Sequence, residues 1–140
     1  MYTIKADRIK KILNTDEKPE SIAFYLIGAP KGFDILPIGL NIYGELIESE
    51  FLETADGEIF TWEEAKKLRR EYKADIKALI FKKNAFRRLI DEQKAEVISM
   101  RFSTGHKNQL MLILSNAADP DPVNAERISL LCPPHCPIEL

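Results

Sequence analysis

No apolar stretch in this chain approaches the roughly 20 residues that a membrane-spanning helix requires. The opening residues, Met-Tyr-Thr-Ile-Lys-Ala-Asp, lack the apolar core of a secretory signal. No membrane association and a cytoplasmic location are therefore expected. Cysteine is scarce, with two in 140 residues, and histidine equally so. In a reducing compartment, a close cysteine pair is more often reduced, metal-bound or redox-active than a structural disulfide. The chain lacks Gly-x-Ser-x-Gly, His-Glu-x-x-His and a Walker-type phosphate loop, which leaves no motif for those hydrolytic or nucleotide chemistries. It also lacks internal repeats and low-complexity linkers.

What is present describes an ordinary globular chain. Hydrophobic residues make up 45% and charged residues 30%, with a net charge of −2. That length and balance suit a single domain over 1–140. The charge is unevenly spread. Residues 1–60 carry 6 basic and 11 acidic groups, residues 61–107 carry 13 and 7, and residues 108–140 carry 1 and 4. The stretch 41–60 has six acids and no Lys or Arg. Blocks of opposite sign are expected to face each other within the chain or across a homo-oligomer. Nucleic acid is not the expected partner, because the basic residues are interleaved with acids and the isoelectric point lies below neutral.

Apolar periodicity predicts the elements. Ile4, Ile9, Ile12 and Leu13 share a helical face, giving a short helix over 4–13 that ends by Asn14. Residues 14–20 form a loop. The apolar run at 21–29 fits either a buried strand or a buried helix. Pro30, Gly32, Pro37 and Gly39 mark 30–40 as irregular, and 40–53 is ambiguous with strand character at 40–43. Asp56-Gly57 is a turn. Thr61-Trp62-Glu63-Glu64 has the spacing of a capping box opening a helix to about Lys73, with Trp62, Ala65, Leu68 and Tyr72 on one face. Ile76–Lys82 reads as a strand. Asn84 can cap a helix that aligns Phe86, Leu89 and Ile90. Residues 97–103 and 109–115 alternate as a hairpin whose inward sets are Ile98, Met100, Phe102 and Leu110, Leu112, Leu114. Asp119-Pro120-Asp121-Pro122 reads as a rigid extended loop, and 128–131 as a last strand. The expected fold is α+β, an antiparallel sheet built on the 96–115 hairpin with the helices at 61–73 and 84–92 on one face.

The chain ends in Leu-Cys-Pro-Pro-His-Cys-Pro-Ile-Glu-Leu, which places both cysteines and one histidine within five residues. Cys132, His135 and Cys136 are three of the four ligands that a structural zinc usually takes, and His106, Asp119 or Asp121 can supply a fourth. The same Cys-x-x-x-Cys loop can close as a reversible disulfide. Its three prolines argue against the helix N-terminus that lowers a thiol pKa in Cys-x-x-Cys enzymes. The third reading is that both cysteines only pack the tail against the domain. Ser103, Thr104 and His106 lie close in sequence but have no evident acidic orienter, so no catalytic residue is assigned. Gly28-Ala29-Pro30-Lys31-Gly32 lacks the ending of a phosphate loop and reads as a connection.

Residues 61–136 resemble a family of short, uncharacterised bacterial proteins. The matching residues are Glu64-Ala65, Tyr72, Ile76-Lys77-Ala78, Met100-Arg101-Phe102, Gly105 and Cys132-Pro133-Pro134-His135-Cys136. The chain departs at Phe102, where tyrosine is usual in that family, and after the second hairpin strand. The resemblance implies no activity. The expected function is thus a non-catalytic interaction or regulatory module with a protein partner or a second copy. The alternative is a metal-binding or thiol-redox sensor or enzyme that uses the tail, with zinc as its candidate cofactor.

Overall fold

The apolar run Ser21–Ala29 forms a strand (β2) whose residues 22–27 are all buried. A strand covered on both faces needs no polar alternation, which is why the run is continuous. The computed structural model describes residues 2–30, 32–73, 75–104, 110–119, 121–127 and 130–132. Within these, β1 is Tyr2–Lys5, α1 Ala6–Leu13, β3 Gly32–Leu40, β4 Phe51–Glu53, β5 Ile59–Thr61 and α2 Trp62–Glu71. Then follow β6 (Ala78–Lys82), α3 (Lys83–Arg87) continued by a π-helical turn (Arg88–Glu92), β7 (Val97–Thr104), β8 (Leu110–Asn116), β9 (Glu126–Arg127) and β10 (Leu130–Cys132).

The strands form two four-stranded sheets, ordered β10-β6-β2-β3 and β1-β7-β8-β9, and a β4-β5 ribbon. The pairings within them are antiparallel. The sheets and helices make an α+β fold with two layers of core. In the first, Ile22, Phe24, Leu79 and Phe81 meet Ile98, Met100, Leu112 and Leu114 of the other sheet, with Phe86 and Leu89 beside them. In the second, Ala23, Tyr25, Leu36 and Ile80, on the opposite face of β2's sheet, meet Trp62 and Ala65 of α2.

The hairpin is present with the expected faces: Ile98, Met100, Leu112 and Leu114 are fully buried. Its connection, 105–109, lies outside the described residues. The helix at 62–71 does not cover the hairpin's sheet, as expected from sequence, but the far side of β2's sheet. The helix expected from residue 4 starts at Ala6. Ile4 instead belongs to β1, where it pairs with Ile98. Tertiary pairing overrides its fit to the helical stripe. Asn84 is not a cap, since α3 begins at Lys83 after an extended Lys82 with no side-chain cap bond. The expected extended loop at 119–122 instead leads into a 3-10 helix at Pro122–Asn124, and among the described residues it is held by side-chain-to-backbone bonds. Asp119 Oδ1 accepts from the Asp121 N–H at 3.3 Å, and Asp121 Oδ1 accepts from the Val123 N–H at 3.0 Å.

The largest departure is β3, a nine-residue strand where prolines and glycines suggested irregular chain. It is an edge strand, and Pro37 pairs with Phe24. Its missing N–H faces away from β2 and costs the ladder nothing. Gly39 has a different role. A Cβ there would lie 3.0 Å from Pro19 Cγ and 3.3 Å from Ile12 Cγ2. The absent side chain is what lets Pro19 and α1 close on the sheet. Gly39→Ala is expected to destabilise the protein by about 1–3 kcal/mol, the usual range for overpacking. Urea denaturation would measure it, and an unchanged midpoint would show that the Pro19 loop yields freely.

The capping box is formed in full. The Glu64 N–H donates to Thr61 Oγ1 at 3.2 Å, and the Thr61 N–H donates to Glu64 Oε1 at 2.9 Å. These bonds from Thr61 hold the Glu64 carboxyl below the ordinary glutamate range. A depressed carboxylate stabilises the fold fully above the pH where an unfolded glutamate titrates, about 4.3. The contribution fades as pH falls through the lower folded value. The stability gap between wild type and Glu64→Gln should therefore be largest near neutral pH and close in acid. A gap that widens below pH 4 would contradict the box as its source.

Candidate functional site

Of the candidate metal ligands singled out in the sequence, Cys132, Asp119 and Asp121 lie within the described residues. His106, His135 and Cys136 lie outside them. Cys132 ends β10, pairs with Ala78 and is 2% exposed. Across the sheet, Cys132, Ala78 and Tyr25 share one row in the second core. The Cys132 C=O accepts from the Lys77 N–H at 2.7 Å, which fastens the strand end. The Cys132 sulfur is disulfide-bonded. It is packed, as the third sequence reading requires, but packing alone does not describe it. Burial pushes the neighbouring Tyr25 hydroxyl well above the usual tyrosine range, against the opposing pull of the Arg69 charge. Among the described residues, no group of three or more His, Cys, Asp and Glu is placed to hold a metal.

A cluster of aromatics closes one end of the sheets. Tyr2, Phe33 and Phe102 come from β1, β3 and β7 and Tyr72 from the residue that ends α2, with ring centroids 5.3–6.5 Å apart. The Tyr2 hydroxyl donates to the Phe33 C=O. Its pKa is raised, first by burial and then by Asp34 and Asp56. Asp34 is 3% exposed, and its Oδ1 accepts from the Ile35 N–H at 2.7 Å. The rings contact one another, so the cluster behaves as a local core.

An open concave surface lies elsewhere. A groove of about 410 Å³ runs beside the outer edge of β3, within the size range of ligand and side-chain pockets. Its floor is Pro37, Ile38 and Gly39. One wall is α1, with Arg8, Lys11 and Ile12. The other is the chain from 47 to 59, with Ile47, Phe51 and Ile59. The walls are tied at one point: Arg8 Nε lies 3.1 Å from Glu53 Oε2, and Arg8 Nη2 donates to the Glu53 C=O at 2.7 Å.

The β4–β5 ribbon explains how large apolar side chains come to line this wall. Phe51 pairs with Thr61 and Glu53 with Ile59, so these four share one face. Leu52 and Phe60 take the other face and pack into the second core. Phe51 is left 57% exposed and Ile59 63% exposed. The adjoining turn exposes Ile42 and Tyr43, held by Asn41 Oδ1, which accepts from the N–H groups of Tyr43 at 2.9 Å and Glu45 at 3.0 Å.

The acidic block belongs to the same stretch of chain, though of its members Glu53 alone lines the groove among the described residues. Glu48, Glu50 and Glu58 are exposed and make no ion pair among the described residues, while Glu53 is taken by Arg8. Elsewhere the charge blocks do meet. Lys83 pairs with Glu20 at 2.9 Å, and Arg88 Nε donates to Glu126 Oε2 at 2.9 Å. The sequence led us to expect the 41–60 acids to face a basic block, and of them Glu53 alone makes an ion pair among the described residues, with Arg8. The exposed Ile42, Tyr43, Phe51 and Ile59 were not legible, because residues 40–53 have no clear period.

No family model matches the chain, and neither a curated protein nor a solved structure is detectably similar to it. No described helix is long and apolar enough to cross a membrane.

Proposed function

We propose that the protein is a non-catalytic interaction module that engages a protein partner through the wall formed by residues 42–59. One observation carries this reading. Five large apolar side chains are strongly exposed in the described chain: Ile42, Tyr43, Phe51, Ile59 and Val123. Four of them fall within these 18 positions, two of them lining the groove. Scattered exposed hydrophobes are normal, whereas two exposed side chains lining one groove, Phe51 and Ile59, favour a contact surface. A photo-cross-linking amino acid at position 51 should capture a discrete partner or a second copy in the native cell. The same group at Thr3, on the outer face of β1, should not. Equal yields from both positions would overturn the reading.

A second reading has the Cys132 disulfide behind it. A thiol-redox or metal-responsive tail would open that bond under mild reductant and then hold zinc through thiolates. Thiol titration of the folded protein before and after glutathione would test it. A bond that survives physiological glutathione would leave Cys132 with a structural role.

A further inference from the structure

We infer that the partner is a second copy of this chain, docked about a two-fold axis so that the acidic 48–58 stretch of each copy meets the basic flank of α2 in the other; this rests on the interaction face proposed above and names what it holds. The charges carry the inference. All six acids of 41–60 are exposed, and Glu53 alone makes an ion pair among the described residues, with Arg8 of α1. The basic block does not answer them within the chain. Its Lys67, Lys83 and Arg88 pair with Glu71, Glu20 and Glu126. Trp62 and Ala65 turn the inner side of α2 to the core. On its outer side Lys66, Arg70 and Lys73 line one shallow depression with Glu63, Lys67 and Glu71. Lys67 and Glu71 satisfy each other. That leaves Lys66, Arg70 and Lys73 against Glu63, an excess of positive charge that makes no ion pair among the described residues. The acids at 48, 50, 56 and 58 are the matching excess of the other sign, on a stretch that has no Lys or Arg.

The placement of the two patches decides the form of the assembly. A two-fold contact uses the same surface on both copies, so that surface must carry both halves of any complementary pair. The ribbon and α2 meet this condition. They join at Thr61, which pairs with Phe51 in the ribbon and caps the helix. Both pack on one face of β2's sheet, through Leu52 and Phe60 on one side and Trp62 and Ala65 on the other. Acidic and basic patches are thus neighbours in one layer. Phe51 and Ile59, next in sequence to Glu50 and Glu58, stay 57% and 63% exposed. Covering them supplies affinity, while the charges set the orientation. The competing arrangements, acid on acid or base on base, repel.

A charge swap tests the pairing. Sedimentation equilibrium of the full chain should show a monomer–dimer equilibrium whose dissociation constant rises at least about 10-fold from low to high salt. The double variant Lys66→Glu, Arg70→Glu makes both patches acidic, and Glu48→Lys, Glu58→Lys makes both basic. Each alone should weaken self-association at least about 10-fold. An equimolar mixture of the two should restore it, because every contact of the mixed dimer again joins opposite charges. Phe51→Ser should weaken the wild-type dimer about 10-fold. None of these five residues is buried, so the variants should keep the wild-type circular dichroism and melting curve. A mixture as monomeric as its components, or a dimer indifferent to Phe51→Ser, would overturn the two-fold pairing. So would a chain that is monomeric at every salt concentration. Cross-linking at position 51 in the native cell judges the face separately. A different protein captured there by a monomeric chain would overturn the second copy and leave the face standing, and capture of nothing would remove both.

Discussion

Replacing Phe24 with alanine should lower the free energy of unfolding by about 3–5 kcal/mol, the range for removing a buried phenylalanine. Phe24 is fully buried at the centre of β2, and its ring stands edge-on to Phe81 at 5.8 Å and tilted to Phe86 at 6.1 Å. The Phe81 and Phe86 rings contact each other at 6.2 Å, so the deletion removes one corner of a triangle. The remaining rings belong to β6 and α3, which are fixed by their own pairings and helical bonds. They cannot collapse freely into the gap, and a cavity adds its cost to the lost burial. Urea denaturation of both proteins gives the difference. A loss under about 1 kcal/mol would mean that the ring triangle repacks, contrary to the density expected of a folded interior.

Leu112→Ala should cost about 2–5 kcal/mol by the same mechanism. Leu112 is fully buried on β8 opposite Phe102, and it faces the first core. Its sequence neighbours Met111 and Ile113 point to the other face of the sheet. Met111 is only partly buried, so Met111→Ala should cost much less. Comparing the two variants tests the register of the hairpin as well as its burial, because a one-residue slip would exchange their effects. Phe24 and Leu112 belong to one contiguous core, so the double variant need not show the sum of the single losses.

The hairpin and α2 were legible in sequence for specific reasons. A sheet with one buried face imposes a period of two, which β7 keeps at Ile98, Met100 and Phe102 and which Leu110, Leu112 and Leu114 follow in β8, although Met111 and Ile113 make that strand apolar on its other face as well. The capping box is a local motif whose four residues contain all its bonding information. β3 was illegible because Pro37 and Gly39 mark breaks in an isolated chain. Only the tertiary setting, an outward-facing backbone at 37 and a close approach of Pro19 at 39, makes them compatible with a strand. Ile4 was misplaced because its partner Ile98 is remote in sequence. The groove followed the same logic. The acidic stretch beside it was visible as a charge block, whereas its exposed Phe51 and Ile59 depend on which way a three-residue ribbon faces.

The pairing of β1 with β7 also has a consequence for how the chain is made. Tyr2–Lys5 leaves the ribosome before every other described strand, yet its partner residues are 97–100. During synthesis β2 and β3 can close on each other early, since they are joined by a tight connection. β1 must wait with Ile4 uncovered until most of the chain has emerged. Vectorial folding therefore proceeds from β2–β3 outward, with the N-terminal strand among the late arrivals. Truncated chains that stop short of β7 would carry an unpaired leading strand, a natural handle for chaperones and a cause of stickiness in incomplete products.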